Sequence, residues 1–382
     1  MSQDGRIGIA LLGGGLRLGG AERQIVHLLS GLSKETFRPC LVLKQFDGPL
    51  LEEVRRLDIP MLELKFRRIY SPAGYSAVVK LRRFLIKQHV QILQSYLYGS
   101  HMMGAAALDL LGGWREMPRP HHVLAIRGHS LPHPAILKLF YRWAGRRASS
   151  VVAVSDHLAR TAEGWGVPAE RLVTIPNGVP RQDADPGGRD RIRGELKLSE
   201  DTVLLGMVGN FHPGKGHVDL LQALRKVAAE APIPWHLMLV GDGRTLSEME
   251  RLAAELGIGE RITFRGRVED VGMHLAAMDL FVFPSHSEGM PNALLEAMAA
   301  GVPCLASDIP VHREILAGGA AGGLFAPGQV DALAALIRGM LQLSPEQRRE
   351  SGRRAKRRIE EAYSIPVMIK SYEKLYNNLL EP

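Results

Sequence analysis

Short apolar runs alternate with amphipathic stretches along the whole chain, and they do so in two series. In residues 1–180 the runs are RIGIALLG, RPCLVLK, MLELKF, QILQSYL, HHVLAIRG and SVVAVS. Helix-like stretches such as AERQIVHLLSGL, AVVKLRRFLIKQ and ILKLFYRWAGRR lie between them. This alternation reads as a parallel sheet covered on both faces. The stretch RQDADPGGRD, residues 181–190, is polar, holds Pro and two Gly, and has no apolar residue to bury, so it reads as a linker. The pattern then repeats with VLLGMVGN, WHLMLVGDG, ITFRG, LFVFPS, PCLAS and GGLFAP, separated by HVDLLQALRKVAAEA, SEMERLAAELG and PNALLEAMAAG. The chain is therefore expected to be α/β, with two Rossmann-like domains facing across a cleft. Their spans are 1–180 and 191–360, joined by 181–190. An amphipathic helix in 361–382 is expected to pack back on the first domain. A length of 382 residues suits two cores better than one. In such sheets ligands bind beyond the C-terminal ends of the strands.

Composition narrows the class. Apolar residues at 46% and charged residues at 23% exclude a disordered chain. Cys40 and Cys304 lie in opposite halves, each in an apolar run, so neither a disulfide framework nor a cysteine metal cluster can be built. A reducing cytoplasm is the expected compartment. The opening MSQDGRIGIALLGGG reads as a first core strand and not as a secretory signal. No run approaches the roughly 20 apolar residues of a membrane span. Residues 1–180 carry 24 Lys and Arg against 13 Asp and Glu, a net +11, and residues 181–382 carry 24 against 27, a net −3. A basic first half implies an anionic partner there.

The strongest local signal is PSHSEGMPNALLEAMAAG, residues 284–301, between a buried strand and a helix. Pro291 suits the first helical position. Gly289, Met290, Pro291 and Asn292 then lie where a helix N-terminus turns its backbone N–H groups outward, a site suited to a diphosphate. Glu288 precedes the helix and Glu296 lies inside it. At that spacing the two carboxylates do not share a proton, and each is suited to accept hydrogen bonds from a polyol, one a sugar ring and one a ribose. A second signal is GMVGNFHPGKGH, residues 206–217, where Lys215 would aim its ammonium at an anion in the loop. LMLVGDG, residues 237–243, ends a strand with a Gly-Asp-Gly turn. In the first half GGGLRLGGAER, residues 13–23, lets backbone approach a ligand, but its glycines miss the dinucleotide spacing and Lys44-Gln45 supplies no ribose-binding acid. AIRGHS ends a strand at Arg127, with His129 two residues on, and either side chain would project toward the cleft. Ser155-Asp156 reads as a helix cap and Asn177-Gly178 as a turn.

Taken together and in order, GGAER, VSDHLA, IPNGV, GKG, VGDG, Glu288-x7-Glu296 and EAMAAGVPCLAS resemble the retaining glycosyltransferases of the GT-B fold, family 4. The resemblance covers nearly the whole chain. It implies that the first domain binds an acceptor and the second a nucleotide-sugar. It implies that Glu288 contacts donor-sugar hydroxyls, that residues 289–292 hold phosphate, that Glu296 binds ribose, and that Lys215 neutralises the diphosphate. Gly20 would approach the phosphates or the acceptor, and Val268 would lie near the base. Two departures stand out. Asn210 occupies a position where the family often has Arg. The family also often ends the first-domain strand with His, where this chain has Arg127 and then His129.

No Asp-x-Asp pair lies beside these loops, so no metal and no cofactor are expected. The expected reaction is transfer of a hexose or N-acetylhexosamine, from a UDP-sugar by preference, to a saccharide or lipid-linked acceptor in bacterial cell-surface polysaccharide assembly. The mixed basic and apolar segments KFRRIY (65–70) and AVVKLRRFLIKQHV (77–90) suit the cytoplasmic face of an anionic membrane. Nothing patterns as a nucleic-acid reader. A nucleotide-sugar epimerase of the same build, or a non-catalytic two-lobed sugar-binding protein, is the alternative.

Overall fold

The computed structural model describes residues 5–17, 19–109, 114, 117–128, 134–182, 186–230 and 233–381. Its internal contacts divide the chain into Met1–Gly178 with Ile365–Pro382, and Val179–Ser364.

Among the described residues the first unit holds seven strands: β1 (Ile7–Gly13), β2 (Phe37–Leu43), β3 (Met61–Glu63), β4 (Val90–Tyr96), β5 (His121–Ile126), β6 (Ser150–Ala153) and β7 (Leu172–Thr174). They form one parallel sheet in the order β3-β2-β1-β4-β5-β6-β7. Alternate side chains of a strand face opposite ways, and here both faces are covered. Ile9 and Leu11 of β1 join a core with Ile25 and Leu28 of the helix Gly20–Gly31. Ala10 and Leu12 face the other core, with Ala77, Leu81 and Leu85 of the helix Pro72–Lys87. That double burial is why β1 reads as an unbroken apolar run.

The helix Ile365–Leu380 belongs to this unit and adds Met368, Tyr372 and Tyr376 to the first core. Both tyrosines are fully buried, so their hydroxyls need partners. Tyr376 donates to Gln94 Oε1 at 2.7 Å, and Gln94 Nε2 donates to Tyr96 at 2.6 Å. Gln24 is also buried, and its amide closes both backbone bonds of Gly178 at 2.9 Å.

The second unit holds β8 (Val203–Val208), β9 (Trp235–Val240), β10 (Ile262–Gly266), β11 (Leu280–Phe283), β12 (Cys304–Ser307) and β13 (Gly323–Phe325). Their order is β10-β9-β8-β11-β12-β13, all parallel. Both units are Rossmann-like α/β domains.

The segment that reads as a linker, 181–190, differs from that reading in its second part. Pro186–Glu195 is helical. Its first residues offer nothing apolar, which is why periodicity misses it. Ile192 supplies the buried contact, and Arg189 and Arg193 pair with Asp279 at 2.6 and 3.0 Å. Residues 183–185 lie outside the described residues.

Candidate active site

β8 and β11 are neighbours, paired through Leu205–Leu280 and Gly206–Phe281. From β8 the chain continues to β9 on one side, and from β11 to β12 on the other. Strand order reverses between them, and the crevice beyond their C-terminal ends is where such sheets bind ligands. The two strongest sequence motifs are the loops that leave these two strands.

The loops are tied together by backbone. His286 N donates to Gly214 O at 2.9 Å. Gly216 has φ +74°, and a Cβ there would lie 2.1 Å from Pro284 O. Only glycine suits both the left-handed backbone and the contact. His286 Nε2 also lies 2.6 Å from Asp219 Oδ2, on the helix His217–Glu230. The Gly-Asp-Gly turn supports the same loop from behind. Phe211 N donates to Asp242 O at 2.9 Å, and a Cβ on Gly241 would meet Gly209 O at 2.0 Å.

This arrangement brings two of the expected residues into contact. Lys215 Nζ lies 2.6 Å from Glu288 Oε1, with the side chains 26% and 12% exposed. The pair is thus partly desolvated, where attraction between charges exceeds its value at an open surface. Ser285 is fully buried, and its Oγ donates to the same carboxylate oxygen at 2.6 Å. Behind it, Ser307 donates to the Ser285 carbonyl. His312 Nδ1 lies 2.8 Å from the Ser307 carbonyl oxygen and 3.2 Å from its Oγ. Burial drives the His312 pKa down to about 4; the Ser307 carbonyl and then Glu288 pull upward, and Lys215 adds to the fall. His312 is therefore a neutral prop at physiological pH. His217, stacked on Phe211 with ring centres 4.3 Å apart, is likewise lowered to about 4, first by burial and then by Lys215.

The helix after β11 runs Asn292–Ala299, and Pro291 is its N-cap, with φ −80° and ψ 103°. The sequence expectation placed Pro291 one position later, as the first helical residue. The fixed φ of proline fits both places, and its extended ψ decides for the cap. The amides of Ala293 and Leu294 fall in the first turn, where helix geometry supplies no intrahelical acceptor. Gly289 and Met290 form the turn before it, with Met290 buried. Glu296 is half-buried on the same helix.

The remaining expected residues are more scattered. Asn210 is exposed just beyond β8, and Val268 is half-buried two residues past β10, the far edge strand. Gly20 and Arg127 belong to the first unit. Gly20 is the first residue of its helix, with Gly19 as N-cap. Arg127 donates to Asn177 Oδ1 at 2.6 Å and to the Tyr372 hydroxyl at 3.0 Å, and its guanidinium lies over the Tyr96 ring. Two of its nitrogens are thus held by its own domain. His129 lies outside the described residues. Sequence reasoning missed Ser285, Ser307 and His312, since serines in a strand-end loop carry no periodic signal. It also read Asn177 only as a turn residue. Among the described residues no group of three or more His, Cys, Asp or Glu is placed to hold a metal ion.

Comparison with known proteins agrees with this layout. Residues 188–358 match the model for glycosyl transferases group 1, and residues 18–183 match that for glycosyltransferase family 4. The chain belongs to the group 1, family 4 glycosyltransferases, enzymes of the GT-B fold. Among curated relatives, N-acetyl-alpha-D-glucosaminyl L-malate synthase of Bacillus anthracis is 28% identical over 63% of this chain and 62% of its own length. The match therefore spans less than two thirds of that relative. An Escherichia coli UDP-Gal:alpha-D-GlcNAc-diphosphoundecaprenol alpha-1,3-galactosyltransferase is 25% identical over 76% of this chain and 79% of its own. Among solved structures, Anabaena HepE in complex with UDP and glucose superposes with a TM-score of 0.82, covering 98% of this chain and 100% of that one at 19% identity.

Proposed function

We propose that the protein is a retaining, metal-independent glycosyltransferase that moves a hexose or N-acetylhexosamine from a UDP-sugar to a saccharide or lipid-linked acceptor. The observation that carries this reading is the Lys215–Glu288 pair, placed at the strand-order reversal of the second unit and beside a helix N-terminus. The UDP and glucose of the HepE complex, and the diphosphoundecaprenol acceptor named for the E. coli relative, support the donor and acceptor classes.

In this reading the donor diphosphate sits against residues 289–292. Negative charge grows on it as the bond from the anomeric carbon to the phosphate oxygen breaks. Fixed donors aimed at that oxygen lower the barrier without reorganising. The helix N-terminus and Lys215 supply them. An ammonium has three N–H donors, so Lys215 can keep Glu288 and still reach phosphate. Glu288, fixed by Ser285, accepts from a sugar hydroxyl, and Glu296 accepts from ribose. The acceptor hydroxyl attacks the face that the phosphate leaves, passing its proton to the departing oxygen. Lys215 and the helix N-terminus thereby do the work that a divalent cation does elsewhere. The basic first unit serves an acceptor presented at the cytoplasmic face of a membrane. Among the described residues no helix is long and apolar enough to cross one.

A nucleotide-release assay over UDP-, GDP- and ADP-sugars, run in EDTA with and without bacterial lipid extract, tests the reading. Release of UDP stimulated by lipid is the expected result. Release that needs added metal, or acceptor-independent interconversion of the donor, overturns it.

A further inference from the structure

The helix Pro134–Arg147 carries apolar residues beyond the side that packs on the domain. Leu137, Tyr141 and Ala144 are buried against the domain. Ile136, Leu139 and Trp143 face outward, 58, 71 and 40% exposed. With Phe140 they stand at i, i+3, i+4 and i+7, a continuous outer stripe. An exposed apolar stripe bordered by polar residues marks an interaction surface. It borders a groove of about 660 Å³ lined by Tyr70, Tyr75, Val78, Met102, Phe140 and Trp143. Tyr70 and Tyr75 are 82 and 63% exposed.

The charge around this surface has one sign. Residues 134–147 contain Lys138, Arg142, Arg146 and Arg147 and no acid, and all four cations are exposed. The Arg147 guanidinium lies over the Trp143 ring. Across residues 64–155 there are 14 Lys and Arg against two acids, Asp109 and Glu116. The basic excess of the first half is thus concentrated in the segments that build the groove. Aromatic and aliphatic side chains beside a ring of cations suit the headgroup–acyl boundary of an anionic bilayer.

We propose that the outer stripe of Pro134–Arg147, with Tyr70 and Tyr75 beside it, inserts into the surface of an anionic phospholipid bilayer. This refines the membrane-side acceptor of the proposed function, on which it rests, and it moves the main contact to the helix Pro134–Arg147. The sequence expectation named residues 65–70 and 77–90; Tyr70 of the first stays in the contact, whereas Ala77, Val78, Leu81 and Leu85 of the second are buried in the core.

The test is co-sedimentation of the full chain with phosphatidylcholine vesicles, with and without phosphatidylglycerol, alongside a UDP titration of the same samples. Wild type is expected to bind only the anionic vesicles. L139D should weaken that binding by about tenfold or more. R142E should weaken it by roughly fivefold or more and reduce its salt dependence. Both sites are exposed, so UDP affinity and melting temperature should stay at wild-type values. Loss of UDP binding would strike the proposed function and leave the vesicle result to be judged separately. Wild type that ignores anionic vesicles, or L139D that binds them equally well, overturns the proposal. So does a dimer in sedimentation velocity that L139D converts to monomer, since the stripe would then be a self-interface.

Discussion

Glu288 Oε1 receives Lys215 Nζ and Ser285 Oγ, each at 2.6 Å, at the ends of adjacent strands. One carboxylate oxygen thus fixes the cation of one loop and is itself fixed by the strand end of the other. In the proposed mechanism each partner has a separable task. Lys215→Met should lower kcat/KM by about 10²–10³, as for other preorganised donors to a developing anion. Glu288→Gln should lower it by a comparable factor. The double variant should lose less than the product of the two, because each single change leaves the other charge half-buried and unpaired. Steady-state kinetics on the three variants checks this.

Ser285 touches Glu288 and is assigned a positioning role. Ser285→Ala removes a hydrogen bond to a carboxylate, about 1.5–3 kcal/mol. The expected outcome is a several-fold fall in kcat, little change in the KM for donor, and a melting temperature within a few degrees of wild type. An equal fall in stability and activity would mark Ser285 as structural only.

Two glycines two residues apart should behave differently. Gly216→Ala meets the Pro284 carbonyl and a positive φ, and should cost about 1–3 kcal/mol with weakened donor binding. Gly214→Ala meets nothing closer than His212 Nδ1 at 3.7 Å and should be mild. Thermal denaturation with and without UDP separates the pair.

Buried histidines set an acid limit on stability. Ser95 Oγ lies 2.8 Å from His101 Nδ1 and 2.9 Å from His122 Nε2. Burial first, then Arg119, lowers His122 to about 3, and burial first, then His122, takes His101 well below its usual value. Their folded-state pKa values lie below the unfolded value of 6.5, so the unfolded chain binds more protons between those limits. Stability from neutral burial is complete above about pH 6.5 and is lost as pH falls toward the folded values. Each such histidine contributes a slope of up to about 1.4 kcal/mol per pH unit in that window. Melting curves from pH 7 to pH 4 should show the fall, and His122→Gln should flatten it.

The strands of both sheets were legible because double burial writes them as unbroken apolar runs, as at β1 and β8. β7 was missed: Leu172–Thr174 is a short, half-buried edge strand with little to distinguish it from a turn. Lys215 and Glu288 could be singled out as candidates because their loops follow strands and precede helices, and Glu296 because it lies in the second of those helices. Ser285, Ser307 and His312 could not, because they are linked only by contacts between the loop after β11, the end of β12 and the helix Pro310–Ile315. Asn177 meets Arg127 across 50 residues of sequence, a pairing that only the folded sheet creates. The VGDG turn looks common in sequence, yet its glycines are required by the backbone packed against Gly209 and Phe211.

In the proposed function the crevice beyond β8 and β11 binds a nucleoside diphosphate through Lys215, residues 289–292 and Glu296. The most direct measurement is a calorimetric titration of UDP, in EDTA, into wild type, Lys215→Met and Glu296→Ala. Wild type is expected to show one site, each variant an affinity lowered about tenfold or more, and Glu296→Ala an unchanged melting temperature. A folded wild type that binds no UDP, or binding that neither variant alters, would contradict it.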